Sequence, residues 1–193
     1  PIKGQFLEVG FDDVYYLNDY YLSTDLKLRQ LYKAQFDSDL SSSSLRKRHY
    51  EIGAQLVAPF VEKTSIQPAS YQVLSIPRSG NYIANGFCDD FEGRFIMSKM
   101  PEDVISDMDQ SKALVIIDSV IDTGNTIRNI LESLTNSYQQ PIHVVCLAIN
   151  IKALSMIEDF SERVEFHCLG FSNKPSRPIG IQDMGARLYG TPD

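Results

Sequence analysis

The chain has 193 residues, 43% of them hydrophobic, enough to bury a substantial core in one domain spanning 1–193. Its formal net charge of −7 excludes nucleic-acid binding through a general basic footprint. No stretch is long and apolar enough to cross a membrane, none reads as a signal peptide, and the cysteine usage suits a reducing, cytoplasmic setting.

In chain order, a tyrosine-rich acidic N-terminal extension precedes helical segments that run to about residue 63. One of these is opened by Ser41 to Ser44, and Pro59 is expected to kink or end it. The basic run Arg46-Lys47-Arg48 reads as a solvated face of that helix. A strand at Val73 to Ile76, a short helix near Tyr82 to Asp89 and a strand at Arg94 to Ser98 follow. The apolar run Ala113 to Ile117 predicts a buried strand. In the helix after it, Ile127, Ile130, Leu131 and Leu134 recur at i, i+3, i+4 and i+7, and Asn125 and Thr126 are the capping candidates. A strand at Ile142 to Ile149, a helix at Ala153 to Phe160 and a strand at Val164 to Leu169 complete the pattern.

This alternation indicates an α/β fold, a mainly parallel sheet with helices on both faces, in which ligands bind beyond the carboxyl ends of the strands. Cys88, Cys146 and Cys168 have no metal-ligand spacing, and the latter two, in strands, read as buried thiols. His49, His143 and His167 are scattered over a helix and two strands and read as packing or surface residues rather than metal ligands.

Two strand-ending loops carry the chemistry. Asp118 closes the apolar strand, and Ser119-Val120-Ile121-Asp122-Thr123-Gly124-Asn125-Thr126 leads into the helix. Gly124 lets the backbone approach a ligand, free N–H groups at the helix start attract an anion, and Thr123 and Thr126 add hydroxyl donors. Asp118 is placed to accept hydrogen bonds from sugar hydroxyls, so the loop points to a phosphate attached to a sugar. The second loop, Pro77-Arg78-Ser79-Gly80, sets a guanidinium on a tight turn, where it can fork onto two phosphate oxygens while backbone N–H groups reach the rest.

Asp118 to Thr126 resembles the phosphoribosyl-pyrophosphate (PRPP) loop of type I phosphoribosyltransferases, an apolar strand, an acid and then T-G-x-T or T-G-G-S. Most members carry two adjacent acids; here Ser119 follows Asp118, which is similar to the single acid of the uracil phosphoribosyltransferases, in D-P-M-L-A-T-G-G-S. Tyr71 to Gly80, a strand running into a tight loop, resembles the family's pyrophosphate loop, P-I-L-R-A-G. Gly180-Ile181-Gln182-Asp183-Met184-Gly185-Ala186-Arg187-Leu188-Tyr189-Gly190-Thr191 resembles its base-wrapping G-L-G-D-A-G-D-R-x-F-G-T. Met100-Pro101-Glu102-Asp103 resembles L-P-E-D, and Leu26 to Glu62 resembles the N-terminal helices.

The resemblance implies transfer of phosphoribose from PRPP to a free nucleobase, uracil giving UMP and pyrophosphate. Arg78, Asp118 and Asp122 are the implied catalytic residues. PRPP would be held by Arg78, Ser79, Gly80, Asp118 to Thr126 and Asp183, and the base by Gln182, Asp183 and Met184. Mg²⁺ is the implied cofactor, held mainly through PRPP rather than by protein ligands. A homodimer or higher homo-oligomer is implied as well, with no nucleic-acid or membrane partner. Several positions depart from the family. The hood between Arg78 and Pro101 is short, with Arg94 as a candidate replacement for its lost arginine. Phe36 stands where the family has an arginine, Gln182 replaces a glycine, and Arg177 aligns near an isoleucine. These departures leave open a transferase for another base and a non-catalytic PRPP- or nucleotide-binding regulator.

Overall fold

The computed structural model describes residues 6–8, 14–17, 28, 30–32, 37, 39–89, 94–97, 105–134, 137–160, 162–172 and 184–191. Its central strands carry no polar alternation because both of their faces are covered. Eight strands build the sheet: β1 (Phe6–Glu8), β2 (Val14–Leu17), β3 (Tyr71–Ser75), β4 (Phe95–Met97), β5 (Ala113–Ile117), β6 (Val120–Ile121), β7 (Ile142–Asn150) and β8 (Val164–Ser172). Their order is β1-β2-β8-β7-β5-β3-β4, with β6 paired to the far end of β7. Strands β3 to β8 run parallel, and β2 joins β8 antiparallel with Val14 opposite Ser172. The N-terminal extension therefore supplies a hairpin that widens the sheet.

Helices cover both faces: α1 (Ser42–Thr64), α2 (Asn81–Phe87), α3 (Asn125–Leu134) and α4 (Leu154–Phe160), with α5 (Met184–Tyr189) beyond them. On one face, Ile52, Leu56 and Phe60 of α1 and Ile83 and Phe87 of α2 pack on Val73, Val115, Val145 and Leu169. On the other, Ile127, Ile130, Leu131 and Leu134 of α3 and Met156 and Ile157 of α4 pack on Leu74, Ile116, Val144 and Phe166. Strands β3, β5, β7 and β8 give alternate residues to the two cores, as a period of two requires. Both cores thus fix the sheet ends from which the loops emerge.

Helix α1 starts where the serine run predicts, with the Ser41 hydroxyl accepting from the Ser44 N–H at 3.2 Å. It continues through Pro59 to Thr64, close to the expected end near residue 63, so the proline does not end it. The next residue, Phe60, is fully buried and makes edge contacts with Tyr71 and Phe87. That burial outweighs the one backbone hydrogen bond that a proline forfeits. Cys146 and Cys168 are buried, with thiols pushed upward by loss of solvent, and none of the three cysteines is in a disulfide. Among the described residues no helix is long and apolar enough to cross a membrane.

Candidate functional site

Strands β3 and β5 are neighbours, so the loops that leave their carboxyl ends lie side by side. In the first, the Gly80 N–H donates to the Ile76 carbonyl at 3.0 Å, and the Pro77–Arg78 peptide is cis. A Cβ at Gly80 would stand 2.4 Å from the Ile117 carbonyl oxygen and 3.1 Å from the Asp118 Cα. Only glycine lets this turn close onto the end of β5. The consequence is a direct bond between the loops, in which the Ser79 hydroxyl donates to Asp118 at 2.7 Å.

The second loop begins as part of the sheet. The Ser119 carbonyl accepts from Leu147 at 2.9 Å and Ala148 at 3.2 Å, and Val120 and Ile121 pair with Ala148 and Ile149 as β6. Asp118 is 8% exposed and takes a further bond from the Ser119 N–H at 2.7 Å. Asp122 accepts from the Asn150 side-chain amide at 2.9 Å. Gly124 has φ +78°, a left-handed conformation that favours glycine, and a Cβ there would lie 2.5 Å from the methyl end of the flexible Met156 side chain. The turn then opens α3, whose Arg128 N–H donates to the Gly124 carbonyl at 2.8 Å.

Two cavities of about 160 Å³ each open here. One is lined by the second loop from Val120 to Thr126, and the other by Pro77, Arg78, Ser79 and Gly185 at the start of α5. Asp118 and Thr126 border both. Of the residues singled out by sequence, Arg78, Ser79, Asp118, Val120, Ile121, Asp122, Thr123, Gly124, Asn125 and Thr126 line this double cavity. Gly80 and Ser119 line neither half and act from behind, one by close approach and the other by pairing with β7. Met184 begins α5, next to Gly185. Gln182, Asp183 and Arg177 lie outside the described residues, as do Phe36 and 100–103. Arg94 lines neither cavity; it precedes β4 at the opposite end of the sheet and donates to the Asp107 carbonyl.

Sequence reasoning missed the residues that brace the loops. Arg78 donates to the Thr191 hydroxyl at 3.1 Å, and Asn81 donates to the Tyr189 hydroxyl at 2.8 Å while accepting from Ser75 at 2.9 Å. These bonds tie the last helix to the first loop. His49 of α1 is fully buried beside the Ser79 backbone; burial first, and then the Arg187 guanidinium, lower its pKa to about 3. The imidazole is therefore neutral under the arginine-bearing loop. Asn150 carried a readable signal, since it ends an apolar strand just as Asp118 does.

Chemically, the double cavity offers a guanidinium, hydroxyls and helix-start N–H groups for phosphate oxygens, and a buried carboxylate between them for a polyol. Its donors to a metal are hard oxygens, Asp118, Asp122 and the loop hydroxyls, which suit Mg²⁺ shared with phosphates and water. The model of the PRTase-CE family matches residues 11–178. No curated protein matches the sequence. Among solved structures, the AQ2163 protein from Aquifex aeolicus is similar at TM-score 0.70 and 18% identity, covering 86% of this chain and 96% of its own. Adenine phosphoribosyl transferase from Trypanosoma brucei, in complex with AMP, pyrophosphate and ribose-5-phosphate, is similar at TM-score 0.55 and 15% identity, covering 92% of this chain and 94% of its own. Leishmania donovani UMP synthase is similar at TM-score 0.52 and 14% identity, over 77% of this chain and 36% of that one. The shared architecture is the type I phosphoribosyltransferase fold.

Proposed function

The chain belongs to the PRTase-CE family, within the type I phosphoribosyltransferases, and on that premise we propose that it transfers phosphoribose from PRPP to a free nucleobase. The observation that carries this reading is the double cavity meeting at Asp118 and Thr126, sized and furnished for a sugar with phosphates on both sides. A ring nitrogen of the base attacks C1 of the ribose and gives up its proton to solvent, the C1–O bond to pyrophosphate breaks with its electron pair leaving on pyrophosphate, and configuration at C1 inverts. Arg78 and the first loop receive the charge that grows on the departing pyrophosphate, and their fixed donors need little reorganisation at that moment. Asp118, already oriented by Ser79 and by the Ser119 N–H, holds the ribose hydroxyls and sets C1 toward the base. The loop from Thr123 to Thr126, at the start of α3, takes the 5′-phosphate. Bound Mg²⁺ would neutralise pyrophosphate oxygens, with Asp118, Asp122 and the loop hydroxyls as the protein atoms within its reach.

Uracil is the acceptor in this proposal, supported by the single acid at Asp118-Ser119 and by the C-terminal resemblance around Asp183. A specific observation favours a second reading, a transferase for another base. Asp122 stands where the uracil branch has alanine, and Asn150 holds its carboxylate at the cavity wall, in a position that other type I members use near the nucleophile. The test incubates the protein with PRPP, Mg²⁺ and a mixture of pyrimidine and purine bases, and reads nucleotides by mass spectrometry. UMP formation supports the first reading and another nucleotide the second. Thermal stabilisation by PRPP with no nucleotide from any base leaves a binding protein in place of an enzyme.

A further inference from the structure

At the opposite end of the sheet, near the amino ends of β7 and β8, three potential ligand atoms converge. His143 faces Glu165 across the β7–β8 ladder, and His167 lies two pairs further along, opposite Val145, on the same sheet face as His143. His143 Nδ1 and His167 Nε2 are 3.2 Å apart, and Glu165 Oε2 lies 3.3 Å from the first and 3.5 Å from the second. These distances match the edges of a coordination tetrahedron. For metal–ligand bonds of about 2.0–2.1 Å, the edge is about 3.3–3.4 Å.

One imidazole N–H can donate to the other's lone pair across the 3.2 Å contact, yet no proton placement gives the outer nitrogens a partner among the described residues. Each neutral imidazole has one N–H and one lone pair, and the outer nitrogens, His143 Nε2 and His167 Nδ1, are buried without a hydrogen-bond partner among the described residues. If both N–H groups face outward, two lone pairs and a carboxylate oxygen meet with nothing between them. If both face inward, the two N–H groups lie 3.2 Å apart and share the Glu165 carboxylate as acceptor, and two buried acceptors on the outer side go unpaired. A cation among the three inner atoms takes the place of the shared proton and uses both imidazole lone pairs and the carboxylate oxygen at once. The rings are held for it, since both make edge contacts with Phe60 of α1, at 5.4 and 5.5 Å between centroids.

The geometry points to a zinc-class divalent transition-metal site formed by His143, Glu165 and His167, with water in the fourth position on the solvent side of Glu165. Two imidazoles and one carboxylate are borderline donors, which select zinc-class ions over Mg²⁺. Glu165, with its side chain 63% exposed, gives the ion a path from solvent, and the two histidines, almost wholly buried, give it a rigid seat. Lys63, at the end of α1, adds a weaker favourable charge to the same carboxylate. Bound metal would clip the starts of β7 and β8 beneath Phe60, far along the sheet from the double cavity.

The test titrates chelator-treated protein with ZnCl₂ by calorimetry, with Mg²⁺ in excess to occupy the loop after β5, and repeats the titration in variants. The expected result is one equivalent of Zn²⁺, with affinity lowered roughly tenfold or more in Glu165→Gln and in His167→Gln. Asp118→Asn keeps wild-type zinc affinity. Co²⁺ in place of zinc gives the intense visible bands of a four-coordinate ion, and these vanish in the same two variants. Glu165→Gln changes an exposed side chain, so it keeps the test decisive if His167→Gln fails to fold. No saturable binding, binding that survives both ligand substitutions, or binding lost in Asp118→Asn overturns the proposal.

Discussion

The loops after β3 and β5 leave adjacent strands at the same end of the sheet, yet they are held in place by different means. The loop after β5 is set by its own neighbourhood. Its first half is a strand on β7, its acid is held by Asn150, and its glycine turns directly into α3. The loop after β3 is set by elements remote in sequence: Thr191 on Arg78, Tyr189 on Asn81, and His49 of α1 beside Ser79. In the proposed function, the loop that would hold the phosphate is thus built into the sheet, and the loop that would receive the leaving group is braced from outside. Asp118 is where the two meet.

Breaking the meeting point should have the largest effect. Asp118→Asn keeps the shape but removes the charge that accepts from Ser79 and Ser119, and turnover with PRPP is expected to fall about 10²–10³-fold. Steady-state kinetics checks this, and unchanged kcat/KM would reduce Asp118 to a structural link. Next comes Gly80→Ala, which pushes a methyl group to 2.4 Å from the Ile117 carbonyl. The loop after β3 must lift from β5, at a cost of about 1–3 kcal/mol in a denaturant melt. Arg78 would lose its aim as well, so KM for PRPP should rise beyond what the stability loss explains.

The buried imidazole sharpens the same contrast through pH. His49 has a folded pKa lowered to about 3 from an ordinary 6.5, so below pH 6.5 the unfolded chain binds more protons than the folded one. Stability should therefore fall as pH drops from about 6.5 toward 3, at up to ~1.4 kcal/mol per pH unit from this residue. His49→Leu should flatten that part of the profile in thermal melts followed across pH. A profile equally steep in the variant would remove His49 as the cause.

This contrast also explains what was legible in the sequence. The apolar run of β5, its closing acid and the single glycine are consecutive, so Asp118 to Thr126 could be read as a ligand loop from local chemistry. Arg78 could be read for the same reason. The braces at Thr191 and Tyr189 could not, because these residues acquire their roles only when the fold brings distant segments together. The clustering of His143 with His167 was hidden likewise: 24 residues separate them in the chain, and parallel pairing of β7 with β8 puts them in contact. Strand β2 was missed because Val14–Leu17 is short and lies in a stretch whose composition suggests a tail.

The smallest effect should come from the outer support of the loop after β5. Asn150→Ala removes the amide that donates to Asp122 at 2.9 Å, and because Asp122 is half-buried the loss should be about 1 kcal/mol, or roughly fivefold in rate. The parameter that changes identifies the role of the acid. If Asp122 takes part in the chemistry at the base, its misalignment lowers kcat and leaves the KM for PRPP near its original value. If Asp122 only shapes the phosphate turn, the KM for PRPP rises and kcat holds. Asp122→Asn keeps the hydrogen-bonding size and removes the charge, so a kcat effect larger than that of Asn150→Ala would assign the chemistry to the carboxylate itself.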